Sequence, residues 1–401
     1  MDLRTGLEGK FTAIVKLNFT CQREKQKMEL LVWFFLAQQQ TNSRIICRWM
    51  ATPIVVAVFS TGIGLVEAAN KSRLGISLNG EPVDYLPCGT IPLSTRTAVL
   101  MGGGDDVKEA FSWMIAKMSQ CGDGNTGRPG NFVVIDNGSV PPDDTYISIV
   151  GPVASVVTLV VPDIETANDP ALEPYIRNAG AIWLTGGDQG RYYNFWKDSL
   201  LEQLISKQVR NFKIPIGGTS AGTMVLSEFA YVADPCAITS SKALTDPYSQ
   251  CVALRRDFWS DRTPLPPLLS TVTDSHFNAR DRMGRLITFL GHAINSQWTS
   301  AAIAQAIGVD EETALLMEID DNTDPSSPGT NFSYKVITNT GVSGSVYILS
   351  TDSQSQLNLE PDQPLSFTNV KVRKIETAGN ESDYIIDVKE GDLISSTGSI
   401  Y

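Results

Sequence analysis

Gly218-Thr-Ser-Ala-Gly222 places Ser220 at the centre of a G-x-S-x-G turn. Such a turn holds its serine in a strained backbone with the hydroxyl outward, and glycines flank it because side chains there would collide with neighbouring backbone. The chemistry it suits is nucleophilic attack, with an adjacent base to take the hydroxyl proton. One short pattern is a loose signal, and the alternative is a tight strand-to-helix connection whose serine caps the helix. The flanks favour the nucleophile. Ile214 to Ile216 is a short apolar run, and Ala221, Val225, Phe229 and Val232 follow at spacings that line one helical face. A helix beginning at Ser220 would also offer free backbone N–H groups to a developing oxyanion.

The base is constrained by scarcity, because the chain has only two histidines. His276 ends the run Thr271-Val-Thr-Asp-Ser-His-Phe277, a strand end of the kind that presents functional groups. His292 falls within the helical pattern that follows and reads as a packing or surface residue. Ala306 to Leu316 is a strand-like run interrupted by Asp310, Glu311 and Glu312. Acids in such a setting need a reason, and orienting a histidine is one. Glu311 is the candidate, with Asp310 and Glu312 as alternatives expected to face solvent. Arg280, Arg282 and Arg285 lie beside Asp274 and read equally as a carboxylate clamp or as a salt-bridged helix face. No His/Cys cluster has metal-ligand spacing, and Asp320-x-Asn322-x-Asp324 lacks the glycine and closing glutamate of a calcium loop, so it reads as a turn. No cofactor motif is complete either: Gly102-Gly-Gly104 lacks both G-x-G-x-x-G spacing and a Walker lysine.

Those residues need strands and helices to bring them together. Thr97–Met101, Phe132–Ile135, Ser155–Val161 and Ala181–Leu184 are short, nearly continuous apolar runs, as expected of a parallel sheet covered on both faces. Between them, Val107, Ala110, Phe111, Met114, Ile115 and Met118 form a helical stripe, and a long amphipathic helix is expected from about Tyr192 to Lys207. Alternating strands and helices give a doubly wound, mostly parallel α/β sheet, which places ligands at the C-terminal ends of its strands. The Gly186–Gln189 loop and the Ser220 turn should face one another there. Residues 233–263 form a long polar loop, either a lid or an insertion without a role at the site. Residues 331–401 alternate by twos and predict a β-rich C-terminal region, 321–401, extending the main sheet or forming a lobe of its own.

The chain is 42% hydrophobic and 19% charged, ordinary for a globular protein, and its formal net charge of −12 argues against a nucleic-acid partner. Ala51 to Val66 is an uncharged apolar run preceded by Arg44 and Arg48 and followed by small residues up to Ala69. That layout is a secretory signal or a retained signal anchor, with Met50 a more conventional start than Met1. The domain expectation is therefore a leader at 1–69, a turn-rich surface lead-in at 70–95, an α/β domain at 96–320 and the β-rich region at 321–401. Of six cysteines, Cys21 and Cys47 fall in the leader. The remaining four allow three pairings, of which Cys88–Cys121 with Cys236–Cys251 is preferred, the second closing a local loop. Sequons begin at Asn70, Asn137, Asn331 and Asn380.

Taken in order, Gly102-Gly-Gly-Asp105, Leu184-Thr-Gly-Gly-Asp-Gln189, Gly217-Gly-Thr-Ser-Ala-Gly222, Asp274-Ser-His-Phe-Asn-Ala-Arg-Asp-Arg-Met-Gly-Arg285 and Gly308-Val-Asp-Glu311 resemble the cyanophycinases, secreted forms in particular. These are serine peptidases related to peptidase E, and the likeness covers roughly residues 95–320. The resemblance implies a flavodoxin-like or class I glutamine-amidotransferase-like fold and a homodimer. It implies Ser220 as nucleophile, His276 as base and Glu311 as the acid that orients it, with the backbone N–H groups of Gly187 and Ala221 as the oxyanion hole. Gln189, Asp274, Arg280, Arg282 and Arg285 match positions used around the substrate. That substrate would be cyanophycin, a poly-aspartate carrying arginine on each side-chain carboxyl, or a shorter aspartyl peptide. The order serine, histidine, glutamate also differs from α/β-hydrolases, where histidine comes last.

Overall fold

The computed structural model describes residues 12–16, 31–35, 55–59, 62–66, 74–138, 147–148, 150–319, 332–377 and 379–401. Met1–Asn70 and Lys71–Tyr401 separate into two units. In the first, Thr12–Lys16 pairs with Leu31–Phe35, and Val55–Phe59 with Gly62–Val66, both antiparallel. The cleavage point expected near Ala69 lies outside the described residues, as do Asn70, Asn331 and the Asp320–Asp324 stretch. No helix among the described residues is long and apolar enough to cross a membrane.

The second unit holds the chemistry. Its elements, in order, begin with β1 (Gly75–Gly80), β2 (Arg96–Met101), α1 (Lys108–Lys117), β3 (Asn131–Asp136), β4 (Ser155–Val160) and β5 (Ala179–Leu184). Then come α2 (Gln189–Trp196), α3 (Leu200–Phe212), β6 (Ile216–Thr219), α4 (Ala221–Met224), α5 (Ser240–Thr245), β7 (Thr271–Asp274) and α6 (Met283–Asn295). The chain closes with β8 (Gln305–Val309), β9 (Thr313–Ile319), β10 (Phe332–Thr338), β11 (Ser345–Ser350), β12 (Gln356–Asn358), β13 (Ser366–Glu376), β14 (Glu381–Lys389) and β15 (Asp392–Ser395). An eight-stranded sheet runs β10-β9-β2-β6-β5-β3-β4-β1. Its middle strands, β2, β6, β5, β3 and β4, are parallel, and β9, β10 and β1 join antiparallel. The fully buried apolar strands occupy that middle, as expected of strands with helices on both faces.

A second, seven-stranded sheet runs β7-β8-β11-β13-β14-β15, with β12 on β13. The run from Ala306 to Leu316 is therefore not one strand. It breaks at Asp310–Glu312 into β8 and β9, which belong to different sheets. β7, the strand leading to His276, pairs with β8 rather than with the strand that carries Ser220. The C-terminal region does both things expected of it as alternatives: β10 extends the main sheet, and β11–β15 build on β8. Lys71–Tyr401 is accordingly one unit with no division at 320.

Other local expectations change for local reasons. The helix foreseen over 192–207 is two helices, split where Asp198 takes a positive φ and the Ser199 hydroxyl caps Glu202 N–H. The helix after Ser220 lasts a single turn, and Phe229 and Val232 pack in the core from beyond it. The lead-in contains an edge strand, β1, antiparallel to β4. Both preferred disulfides are present: Cys88–Cys121 ties the lead-in to the segment after α1, and Cys236–Cys251 closes the 233–263 loop. That loop is not a free lid. It contains α5, and Ala243, Leu244, Phe258 and Trp259 are buried in the cores.

Candidate active site

Three turns converge at the C-terminal edge of the main sheet. At the first, Ser220 follows β6 with φ 52° and ψ −115°, outside the regions that non-glycine residues favour. Its N–H donates to Met101 O on the neighbouring strand (3.1 Å). Thr223, unremarked in the sequence, secures the turn: its hydroxyl reaches Met101 O (2.7 Å) and Gly218 O (2.6 Å) and accepts from Met101 N–H (3.0 Å). Gly222 is required sterically, because a Cβ there would stand 2.2 Å from Leu184 O. The serine does not cap its helix through its side chain. Its Oγ lies 2.8 Å from His276 Nε2 instead.

The second turn follows β7. His276 is itself left-handed (φ 48°), with its N–H on Gly102 O (2.7 Å) and its ring against Gly103. Gly103 has φ +89° and leaves the imidazole its space, since a Cβ there would fall 2.3 Å from Cε1. The third turn carries Glu311, whose Oε1 lies 2.6 Å from His276 Nδ1. A carboxylate only accepts, so Nδ1 carries the proton and Nε2 is left to accept from the Ser220 hydroxyl. Burial pushes the His276 imidazole below its ordinary value, Glu311 pulls it back, and Arg280 and Arg282 push it further down. His292 is elsewhere, its Nε2 2.6 Å from Pro247 O and its ring against Tyr248.

Of the remaining expected residues, Gly187 is exposed in the loop after β5, whose neighbour Gly186 abuts Ser220. Ala221 opens α4, and Gln189 is half-buried at the start of α2. Arg280 is exposed, with Nε 3.7 Å from Glu311 Oε1. Asp274 and Arg285 correct the expectation that they meet substrate. Asp274 is fully buried and receives Arg285 Nε (2.7 Å) and Nη2 (2.6 Å), while Arg285 is itself buried. Arg282 joins them at 3.2 Å and donates to Ser275 O (2.7 Å). Asp310 is also corrected, being buried rather than solvent-facing. So is the sequon at Asn137, whose buried side chain donates to Asp188 O (2.9 Å), whereas Asn380 is exposed. No group of ligand-type side chains among the described residues is arranged to hold a metal.

The comparisons with known proteins support a serine-type peptidase. Peptidase family S51 matches residues 139–244. The cyanophycinase of Geminocystis herdmanii is 25% identical over 240 residues, covering 59% of this chain and 79% of that one. The cyanophycinase of a Nostoc species is 26% identical over 239 residues, 57% of this chain and 70% of its own. A solved peptidase from an acI-B1 Actinobacterium superposes over 68% of this chain and 93% of its own at 16% identity, with a TM-score of 0.40. The chain is thus similar to the cyanophycinases over more than half its length and to peptidase family S51 over residues 139–244, which supports a cyanophycinase-like serine peptidase.

Proposed function

We propose that the protein is an exported exopeptidase that hydrolyses cyanophycin to β-Asp-Arg dipeptides through Ser220, His276 and Glu311. The observation that carries this reading is the continuous hydrogen-bonded chain Ser220–His276–Glu311 in a chain similar to cyanophycinases. Ser220 Oγ attacks a backbone carbonyl carbon as its proton passes to His276 Nε2. The oxyanion that forms meets the N–H groups of Gly187 and Ala221. His276 then gives its proton to the departing amine, leaving an acyl ester on Ser220. Water repeats the sequence: its proton goes to Nε2, its oxygen to the acyl carbon, and the serine recovers its hydrogen. Glu311 holds the imidazole in the productive tautomer and stabilises it when charged. In this reading exposed Arg280 would hold the substrate's carboxylate and half-buried Gln189 its amide groups. Export is supported by the apolar leader and by two disulfides, which form in oxidising compartments.

Incubation of residues 70–401 with insoluble cyanophycin, with products identified by mass spectrometry and Ser220→Ala as control, tests this. Release of β-Asp-Arg by the parent alone is the expected result. Turnover of short aspartyl peptides without attack on the polymer would move the assignment to a dipeptidase, and binding of polymer without turnover to a non-catalytic binding protein. The pH dependence carries a second expectation. The base works neutral, and its folded-state value lies below the ordinary imidazole. The acid limb of kcat/KM should therefore fall below about pH 6.5, the unperturbed histidine value. A limb at or above that value would contradict the burial-driven shift.

A further inference from the structure

The Glu311 side chain is 37% accessible, well above the 10% of His276, so something else must fix the turn it stands on. Its neighbour Asp310 is buried, and both carboxylate oxygens are engaged by backbone. Oδ1 accepts from Asn278 N–H (2.9 Å), two residues beyond His276. Oδ2 accepts from Ser345 N–H (2.9 Å) at the head of β11, and Asp310 N–H donates back to Ser345 O (3.1 Å). One carboxylate thus joins the His276 turn, the Glu311 turn and the C-terminal sheet. The turns it joins are strained, because His276 and Glu312 both sit at positive φ (48° and 50°). Side chains other than glycine hold that conformation only when their surroundings over-determine it. Two further backbone bonds, Glu312 N–H to Gly103 O (2.7 Å) and Phe277 N–H to Val309 O (3.1 Å), fix the outer ends of the turns. Asp310 is the side chain that bridges them.

We infer that Asp310 is a positioning residue for the reaction: it sets the His276–Glu311 hydrogen bond and makes the C-terminal β-sheet a working part of the active site. The inference rests on the proposed roles of His276 and Glu311. It explains why β11 begins where it does, and why an acid is buried one residue from the acid that does chemistry. Burial raises the Asp310 carboxyl, its two backbone donors and Lys374 lower it, and neighbouring Glu311 raises it. Asparagine at 310 keeps one acceptor but turns an N–H₂ toward a backbone N–H, so one half of the clasp is lost.

The test is Asp310→Asn, read by kinetics and by ¹⁵N-histidine NMR. With only two histidines in the chain, the His276 resonances can be assigned against His276→Ala without any substrate. Misplacement of a positioned group by about 1 Å can cost roughly 100-fold in rate. Asp310→Asn is accordingly expected to lower kcat about 10- to 100-fold with KM nearly unchanged. The His276 pKa should fall further, because Glu311 no longer stabilises the imidazolium against burial, Arg280 and Arg282. Asp387→Asn, which removes a carboxylate accepting Asn369 N–H in the same C-terminal sheet, should leave both readouts unchanged. If Asp310→Asn does not fold, Ser345→Pro removes one donor with the carboxylate intact, at a strand's first residue where proline is tolerated, and should give the same pair of changes. A variant with fewer active molecules but an unaltered His276 titration would show a role in stability alone and overturn the inference. Loss of the peptidase reading looks different: the parent would be inactive on every peptide while its His276 resonances still reported the Glu311 bond.

Discussion

Replacing Ser220 with alanine is expected to lower hydrolysis by at least about 10³-fold while leaving the fold and substrate affinity nearly intact. The physical basis is the division of labour along the chain Ser220–His276–Glu311. A serine hydroxyl is a weak nucleophile at neutral pH, and only the imidazole 2.8 Å away gives its proton somewhere to go. Groups that act as one unit are not additive: removing either nucleophile or base leaves only binding and oxyanion stabilisation. His276→Ala should therefore cost about as much as Ser220→Ala, and the double variant no more than either. Glu311→Gln should also be costly, though less than loss of the base itself, since the amide can turn an N–H toward Nδ1 and favour the tautomer that carries its proton on Nε2. The measurement is kcat for the parent, the three single variants and the Ser220/His276 double variant on one soluble peptide. Multiplying losses in the double variant would mean that Ser220 and His276 act independently, and the relay would have to be abandoned.

The sequence displayed Ser220 clearly because its turn is local: a nucleophile elbow needs glycine at fixed offsets, and Gly218 and Gly222 stand there. His276 followed by scarcity, there being two histidines and one at a strand end. The middle parallel strands were legible because burial on both faces writes itself as short unbroken apolar runs. What could not be seen was pairing between distant segments. β7 and β8 are ordinary apolar strands, and nothing in their composition tells which sheet they enter. For the same reason Asp310 read as a surface acid: its donors, Asn278 and Ser345, come from separate parts of the chain. Helix lengths failed where backbone geometry overrode periodicity. The pattern after Ser220 keeps helical spacing through Val232, yet the helix ends at Met224, and the stripe residues reach the core from irregular backbone.

The arginines after His276 supply the second large expectation, with stability rather than rate as its readout. Arg285→Ala should destabilise the protein by about 3–5 kcal/mol, the usual cost of leaving one member of a buried ion pair without its partner. Asp274 has no solvent to turn to: it is fully buried, and Arg285 supplies its bidentate charged pair, beside one N–H from Ser275 (2.8 Å). Arg285 also donates to Ile238 O (3.2 Å) and lies over the Tyr231 ring (5.0 Å), so the pair fastens β7 to α6 and to the 233–263 loop together. Arg282, less buried and at 3.2 Å, replaces neither bidentate bond. Lysine at 285 restores the charge without the planar fork and should recover only part of the loss. Replacing both residues with apolar side chains of similar volume, Asp274→Leu with Arg285→Met, should destabilise less than Arg285→Ala, because only the less buried Arg282, which keeps its bond to Ser275 O, then loses a carboxylate partner. Urea unfolding of these variants gives the stability, and KM on a soluble peptide at low temperature gives the alternative. A residue that grips the substrate would raise KM tenfold or more with little change in the unfolding midpoint, the reverse of what a buried ion pair produces.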